Sequence, residues 1–297
     1  MRRWAVAVVA LGLAGCTPPP DETGDDDAVD DDDGTDDDDA GVRLCNGSEA
    51  LCDRPFSAVV LPGTHNAMSN AADGWIAPNQ NVGIEAQLED GIRGLLLDTH
   101  DWAGEPHLCH SNCLLGSRPL DEALEGIDAF LRANPNEVLA IIFQDGISAQ
   151  ATEEVFVATG LIDHVYRHTG GDWPTLGAMI DASTRLVVTA EASGPPPAWY
   201  HHAWDLFSDS PYSFSDVDDF SCGPNRGDAG NDLFLLNHWI GNPLPNRDAS
   251  TAANAGAVLR ARVQDCLDVR GRLPTLFAVD HHDIGDLLAV VAELNAD

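Results

Sequence analysis

The sequence predicts an α/β fold, built either as a barrel or as a doubly wound sheet. Short apolar runs alternate along the chain with segments of helical pattern, as they do in βαβ units. Several of these runs are apolar throughout, which is expected for parallel strands that are buried on both faces. Residues 41–297 have the length of one large domain in the range of α/β barrels.

The first 16 residues predict a lipoprotein-type signal peptide. Arg2 and Arg3 form a positive start, and the apolar run Trp4–Leu13 is shorter than the ~20 residues of a membrane-spanning helix. Leu13–Cys16 resembles a bacterial lipobox, so Cys16 is expected to be lipidated. This predicts an exported protein, anchored in the bacterial outer membrane or at the cell surface by its N-terminal lipid. Plain secretion, with cleavage at a small residue, is the alternative.

Residues 17–40 predict a disordered acidic tether. They carry long runs of aspartate and almost no apolar side chain, so they cannot bury enough surface to offset the entropy of ordering. Like charges also repel one another and extend such a segment. A calcium site within Asp30–Asp39 is the alternative, but the bidentate Glu that closes an EF-hand loop is absent.

The charge of the remaining domain excludes one class of partner. Residues 41–297 hold 13 basic and 36 acidic residues, a net charge of −23, and the chain contains no lysine. Binding to a phosphate backbone needs clustered cations, so no nucleic-acid partner is expected. Strong attraction to a very anionic membrane is not expected either.

Six cysteines remain in this domain, an even number that predicts disulfides in an exported protein. The expected pairs are Cys45–Cys52, Cys109–Cys113 and Cys222–Cys266, the first two because they are close in sequence. A zinc site at Cys109, His110 and Cys113 is the alternative, although no second Cys/His pair has matching spacing.

The elements were located from apolar runs, helical periodicity and breaker residues. The predicted strands are Ser57–Leu61, Gly94–Thr99, His107–Cys109, Val138–Phe143, Arg185–Thr189, Leu233–Leu236 and Leu276–Val279. The predicted helices are Pro119–Ala133, Ala149–Thr159, Thr175–Ala182, Ala252–Arg270 and Ile284–Leu294.

Polar residues follow the last apolar residues of most predicted strands. They are His65, Asn66, Asp98, His110, Gln144, Asp145, Glu191, Asn237, His238 and Asp280. Barrel active sites form at the carboxyl ends of the strands, so these side chains are expected to meet at one edge of the sheet. Two of them are histidines, His65 and His110. One imidazole can take a proton while the other gives one, which is the minimal equipment for cleaving a phosphodiester.

Several motifs follow one another along the chain: Thr64–Ala67, Gly91–Asp98, Leu108–Ser111, Phe130–Val138, Leu235–His238 and Phe277–Asp280. Taken in this order they resemble the X-domain of phosphatidylinositol-specific phospholipases C, in its branch of secreted or surface-anchored phosphodiesterases. The resemblance implies a single domain with an irregular (β/α)₈ TIM-type barrel. It implies His65 as the general base, His110 as the general acid and Asp280 as the carboxylate that orients His65. A phospholipid of the phosphatidylinositol type would be the substrate.

The resemblance also implies a choice between a bound calcium ion and an arginine in the site, because calcium-independent bacterial members place an Arg where this chain has Asp98. Calcium-dependent members bind the ion through an Asn after the first His and through several acids, which points to Asn66, Asp98, Gln144 and Asp145 as ligands of Ca²⁺. The pattern is incomplete, because Leu96 stands where a third acid is found and Gln144 where a fourth is. Arg93 is a candidate for contact with phosphate, with a structural ion pair inside the barrel as the alternative.

The remaining candidates concern the substrate and rival functions. Glu191, Asn237, His238 and Trp239 are predicted to line the headgroup pocket, and for Trp239 ordinary packing is the alternative. A glycerophosphodiesterase-like phospholipase on a similar barrel is one rival function, although that class uses a denser Glu/His metal cluster. A surface lipoprotein that binds lipid or glycan without catalysis is the other.

Overall fold

In the computed structural model, which describes residues 42–241 and 244–296, helices and strands alternate as predicted. The first half of the chain forms β1 (Leu61–Thr64), α1 (Ile84–Glu89), β2 (Gly94–Trp102), β3 (Glu105–Leu108), β4 (Arg118–Pro119), α2 (Leu120–Ala133), β5 (Leu139–Gly146), α3 (Ala149–Thr159) and β6 (Val165–Tyr166). The second half forms α4 (Leu176–Asp181), β7 (Leu186–Ala190), β8 (His201–His202), α5 (Ala203–Leu206), β9 (Phe207–Asp209), β10 (Leu233–His238), α6 (Arg247–Ala253), α7 (Gly256–Arg270), β11 (Leu276–Val279) and α8 (Leu287–Ala296). The predicted signal peptide, tether and lipidation site lie outside the described residues.

Eight strands form a curled parallel sheet in the order β6-β7-β5-β2-β1-β11-β10-β9. The predicted fold class is confirmed: this is a single-domain α/β fold of the irregular barrel type. Among the described strands β6 and β9 end the path and do not pair with each other, so the barrel is not closed by hydrogen bonds. Within the same residues, no helix is both long and apolar enough to cross a membrane.

The central strands begin with apolar runs because both of their faces are buried there. Along β5, Ile141 and Phe143 belong to one core cluster while Ala140 and Ile142 belong to another, as the two-residue period of a strand requires. The first cluster also contains residues of α1, α2, α3, α7 and α8, and the second contains residues of α4. Gly94 leaves room for the side chain of Leu276, which a Cβ at that position would displace.

Most helix boundaries follow local signals in the sequence. The bounds of α3 are those predicted: the Ser148 side chain accepts from Ala151 N at 3.1 Å, and Gly160 ends the helix with φ +79°. The predicted helix Ala252–Arg270 is instead two helices, α6 and α7. The break falls at Asn254, which ends α6. The side-chain amide of Asn254 donates to the backbone oxygen of Asp280 at 2.8 Å.

Several predicted strands differ from the observed ones. Residues 57–61 were expected to be extended, but Phe56–Ala58 form a 3₁₀ turn and the strand begins at Leu61. The predicted strand around residue 108 is β3, which pairs antiparallel with β2 as a hairpin and is not part of the parallel sheet. The short strands β4, β6, β8 and β9 were missed, because two or three residues carry no readable periodicity.

All three predicted disulfides are present, which excludes the zinc alternative at Cys109 and Cys113. The bonds join Cys45 to Cys52, Cys109 to Cys113 and Cys222 to Cys266.

Candidate active site

A cavity of ≈ 190 Å³ opens at the carboxyl ends of the strands. Eight of the predicted site residues line it, namely His65, Asn66, Asp98, His110, Gln144, Glu191, Asn237 and Trp239. Leu96, Leu97, Ser111, Ile142, Tyr212 and Arg226 complete the lining. The parallel topology thus brings together side chains that are far apart in sequence, as the strand-end argument predicted.

His65 and Asp280 form a hydrogen-bonded pair at the bottom of the cavity. Strand β1 pairs in register with β11, Thr64 opposite Val279, so the residues that follow the two strands lie side by side. His65 Nδ1 lies 2.9 Å from Asp280 Oδ1. Because a carboxylate only accepts, Nδ1 carries the proton and Nε2 is left to act on a ligand. The indole of Trp239 stacks on the His65 ring at 3.8 Å between centroids.

Asn79 and Gln80 support this pair, and neither was predicted from the sequence. Asn79 Nδ2 donates to Asp280 Oδ1 at 3.0 Å. Gln80 Nε2 donates to the backbone oxygens of both His65 and Val279, at 2.8 and 3.0 Å, and so ties β1 to β11. In the sequence these residues belong to a polar run between β1 and α1. Such a run does not indicate which of its side chains points inward.

His110 reaches the cavity by a different route from the one predicted. Because β3 folds back along β2, Cys109 N donates to Asp98 O at 3.1 Å, and His110 comes close to the middle of β2, a strand that is not its own. The Cys109–Cys113 disulfide closes the short loop that carries His110. Burial lowers the pKa of His110, and the neighbouring His65 lowers it further.

Asp98 is a buried carboxylate with few partners. Burial raises its pKa to about 7, while His65 lowers it and Glu191 raises it. In one orientation of the Asn66 amide, its nitrogen donates to Asp98 Oδ1 and Oδ2, both at 3.2 Å, and its oxygen accepts from His65 Nε2 at 3.1 Å. In the other orientation the nitrogen donates to Nε2.

Among the described residues that line the cavity, Arg226 is the one arginine, and the sequence did not predict it. It lies in the loop between β9 and β10, where no periodicity marks it. Its Nη1 lies 2.9 Å from Glu191 Oε1, and its Nη2 lies 2.7 Å from Asp209 Oδ2. The group lies over the rings of Trp204 and Tyr212, at 4.0 and 4.7 Å from their centroids. Burial raises the pKa of Glu191, and Arg226 opposes that shift.

Three predicted site residues lie elsewhere. Arg93 precedes β2, so it lies at the opposite end of the strand, where its Nε donates to Glu137 Oε2 at 2.6 Å; the alternative of a structural ion pair is correct. Asp145 and His238 each adjoin a residue that faces the cavity, and side chains alternate along a strand. Asp145 Oδ1 instead accepts from Ala192 N at 2.8 Å. His238 is buried, with Nε2 2.9 Å from Ala253 O, and burial lowers its pKa to about 3.

The oxygen-bearing side chains that line the cavity do not make up the usual ligand set of a calcium ion. Calcium takes six to eight oxygen ligands, most of them carboxylates, carbonyls and waters. Of the four predicted ligands, Asn66, Asp98 and Gln144 line the cavity, which supplies one carboxylate and two amides. Glu191 is paired with Arg226, and the described residues contain no group of three or more His, Cys, Asp or Glu that could hold a metal ion.

Comparisons with known proteins agree with this fold and this set of motifs. The model of the PI-PLC X family matches residues 51–295. An "Uncharacterized secreted protein" of Arthroderma benhamiae is 28% identical over 285 residues, which is 85% of this chain and 64% of that protein. A "PI-PLC X domain-containing protein 1" of the same organism is 28% identical over 275 residues, 85% of this chain and 89% of that protein.

One solved structure gives the likeness in three dimensions. Phosphatidylinositol-specific phospholipase C from Listeria monocytogenes matches with a TM-score of 0.58 and 17% identity, over 82% of this chain and 94% of that one. At this identity the likeness shows the fold alone.

Proposed function

Because this chain belongs to the PI-PLC X family, we propose that it is a phosphodiesterase of the phospholipase C type. Its substrate is a phospholipid with a phosphatidylinositol-like headgroup. The observation that carries the proposal is the geometry of two histidines on one cavity: His65 paired with Asp280 at 2.9 Å, and His110 held beside it.

In the proposed reaction His65 Nε2 takes the proton of a headgroup hydroxyl, whose oxygen then bonds to phosphorus. The bond between phosphorus and the diacylglycerol oxygen breaks, and His110 gives its proton to that oxygen. The products are a cyclic phosphodiester and diacylglycerol. Asp280 keeps the proton of His65 on Nδ1 and stabilises the imidazolium that forms, as the carboxylate of a catalytic triad does.

The Asn66 amide lies 3.1 Å from His65 Nε2 and can hydrogen-bond the base through its nitrogen or its oxygen, depending on the orientation of the amide. Arg226 lines the cavity and would be a hydrogen-bond donor to the anionic phosphate, although its ion pairs with Glu191 and Asp209 offset its charge.

Calcium dependence stays a prediction, and no step above uses a metal. Thorough chelation, followed by added Ca²⁺, tests it: turnover that falls and recovers supports the prediction, and undiminished turnover removes it.

Export is proposed from two observations. The chain has three disulfides, which persist in oxidising compartments, and a relative bears the name of a secreted protein. The finer proposal is an outer-membrane or surface lipoprotein that carries its lipid on Cys16. Metabolic labelling with a radioactive fatty acid tests it, because Cys16→Ser should abolish the label.

A phosphodiester screen tests the proposed function. It compares the wild-type chain with His65→Ala, His110→Ala and the matched control His107→Ala, whose residue lies on the same hairpin but outside the cavity. We expect wild type and control to release diacylglycerol, and the two site variants to lose about 10²–10⁴-fold in rate. Equal background from all four chains would contradict the proposal and leave a non-catalytic binding protein. Activity restricted to glycerophosphodiesters would favour the glycerophosphodiesterase-like alternative.

A further inference from the structure

A buried histidine outside the cavity is linked to the proposed base. His282 follows β11 by three residues, and its side chain is 1% exposed. It does not line the cavity, and the reaction proposed above does not use it. Its two ring nitrogens contact Gln80 and Asp90. His282 therefore joins the turn after β11 to the two ends of the segment that contains α1.

The orientation of the Gln80 amide is fixed by its partners. Gln80 is fully buried, and its Nε2 donates to the backbone oxygens of His65 and Val279, at 2.8 and 3.0 Å. The backbone N–H of His282 donates to Gln80 Oε1 at 3.2 Å. A swapped amide would set its oxygen against two carbonyl oxygens and its nitrogen against an N–H donor. Gln80 Oε1 must therefore face His282.

The contacts of the His282 ring call for two ring protons. Nδ1 lies 3.3 Å from Gln80 Oε1, and Nε2 lies 3.0 Å from Asp90 Oδ2. Both oxygens only accept, whereas a neutral imidazole has a single N–H and would turn a lone pair toward one of them. An imidazolium donates to both. The Asp90 carboxylate then offsets its charge, as a buried charge requires.

In the described part of the chain, Asp90 is the one carboxylate in contact with the His282 ring. The other charged or titratable groups of the β11–α8 connection and of α6 each have a further hydrogen-bond partner: Asp280 has His65, His281 has Ser250, Asp286 has the backbone of Gly256, and Asp283 and Arg247 share Asn81. The charge on His282 is therefore set mainly by Asp90.

We propose that His282, held as an imidazolium by Asp90, positions the His65 base through Gln80. The protonated ring fixes the Gln80 amide, and this amide holds the backbone at the end of β1 against the end of β11. His65 and Asp280 follow these two ends, so their 2.9 Å contact depends on that link. His282 is a positioning residue, and its effect on turnover rests on the proposed function.

Loss of one His282 proton would disturb the base. Nδ1 would present a lone pair to Gln80 Oε1, and the repulsion between them would release the amide from its present orientation. Because the cavity residues that bind the headgroup are not part of this link, the change is expected in kcat and much less in KM.

Nuclear magnetic resonance of the full chain with ¹⁵N-labelled histidine tests the protonation state without an activity assay. In the buffer used for turnover, we expect both ring nitrogens of His282 to carry protons. A His282 ring with only one protonated nitrogen would overturn the proposal. This measurement needs the wild-type chain alone, so it does not depend on the folding of a variant.

Asp90→Asn tests the link by removing the carboxylate that holds the imidazolium. The Asp90 side chain is 50% exposed, so the variant should fold, and circular dichroism with thermal unfolding checks this. Glu89→Gln is the matched control, because Glu89 is the exposed neighbour on α1 and loses the same charge. We expect kcat of Asp90→Asn to fall about tenfold or more at neutral pH, with KM nearly unchanged, and the control to match wild type.

The pH dependence of that loss separates positioning from a merely structural role. At lower pH His282 is protonated even without Asp90, so the ratio of variant to wild-type kcat should return toward one. Gln80→Met, which breaks the link at the amide itself, should lose kcat at every pH. An unchanged kcat in both folded variants, or an Asp90→Asn loss that is the same at every pH, would overturn the proposal.

The ring signals of His65 separate this proposal from the proposed function. We expect Asp90→Asn to shift them and Glu89→Gln to leave them in place. Shifted signals in a chain that shows no turnover would support the positioning and contradict the proposed function. Turnover that Asp90→Asn leaves unchanged would overturn the positioning while the proposed function stands.

Discussion

Among single residues of the site, Asp280 is a buried carboxylate with one oxygen left unpaired in the described residues. It is buried, and its Oδ1 accepts from both His65 Nδ1 and Asn79 Nδ2. Its Oδ2 has no hydrogen-bond partner in the described part of the chain. A buried carboxylate that keeps one oxygen without a partner is costly for folding. We therefore expect Asp280 to orient the His65 imidazole and not to stabilise the fold.

The variant Asp280→Asn tests that role. Its amide can donate to Nδ1, which would place the proton of a neutral His65 on Nε2 and remove the base. We predict a fall in kcat of about 10²-fold or more, with KM nearly unchanged, measured by steady-state kinetics. An unchanged kcat in a folded variant would contradict the orienting role of Asp280.

The direction of the His110 pKa shift predicts a pH profile. A general acid must be protonated, and burial lowers the pKa of His110 below the ordinary value of about 6.5. As pH rises through the lowered pKa the proton is lost, so kcat/KM should fall on the alkaline side from a pH below about 6.5. A profile of kcat/KM from pH 4.5 to 9 checks this, and a flat profile up to pH 8 would contradict it.

Among the structural elements, the two later disulfides differ in the length of chain that they close. Cys109 and Cys113 are 4 residues apart, while Cys222 and Cys266 are 44 apart and join the β9–β10 loop to α7. The short bond closes the loop of His110, the proposed general acid, and the long bond mainly limits the unfolded chain.

Replacing each pair by serine should separate these effects. Loop-closure entropy predicts a loss of about 2 kcal/mol for the short bond and about 4 kcal/mol for the long one. Urea unfolding measures both. For each kcal/mol of stability lost, we expect the variant without Cys109–Cys113 to lose more activity than the variant without Cys222–Cys266, because it releases the loop of His110. A greater loss of activity from the long-bond variant would contradict this assignment.

How far the sequence predicts the site depends on the element that carries each residue. His65 and Asp280 were placed correctly because parallel strands end at one edge, and register then pairs them. Sequence alone could not tell which of two successive residues faces the cavity, so Asp145 and His238 were misplaced. Arg226 comes from an irregular loop whose path is set by tertiary packing, and Asn79 lies in another such loop. Arg93 was misplaced because it stands before its strand and not after it.

At the scale of the whole molecule, the negative charge of the chain opposes the binding of the proposed anionic substrate. The formal net charge of the chain is −34. Repulsion between protein and phosphodiester slows their encounter at low ionic strength, and salt screens it over a Debye length of about 10 Å at 0.1 M.

We therefore predict that kcat/KM for a soluble anionic phosphodiester rises severalfold between 10 and 150 mM salt, as estimated from this screening. Steady-state rates in a series of NaCl concentrations measure the effect. A kcat/KM that falls with salt would indicate steering by local positive charge, such as Arg226, and would contradict this account of the whole molecule.

The division of labour between the two histidines is the central claim, and the leaving group tests it most directly. An alkoxide leaving group needs a proton from His110, whereas a nitrophenolate does not. We predict that His110→Ala loses about 10²–10⁴-fold in kcat/KM on a diacylglycerol-type substrate but less than about tenfold on the nitrophenyl ester of the same headgroup phosphate. His65→Ala should lose heavily on both. Equal losses by the two variants on both substrates, or the reverse pattern, would contradict the assignment of base and acid.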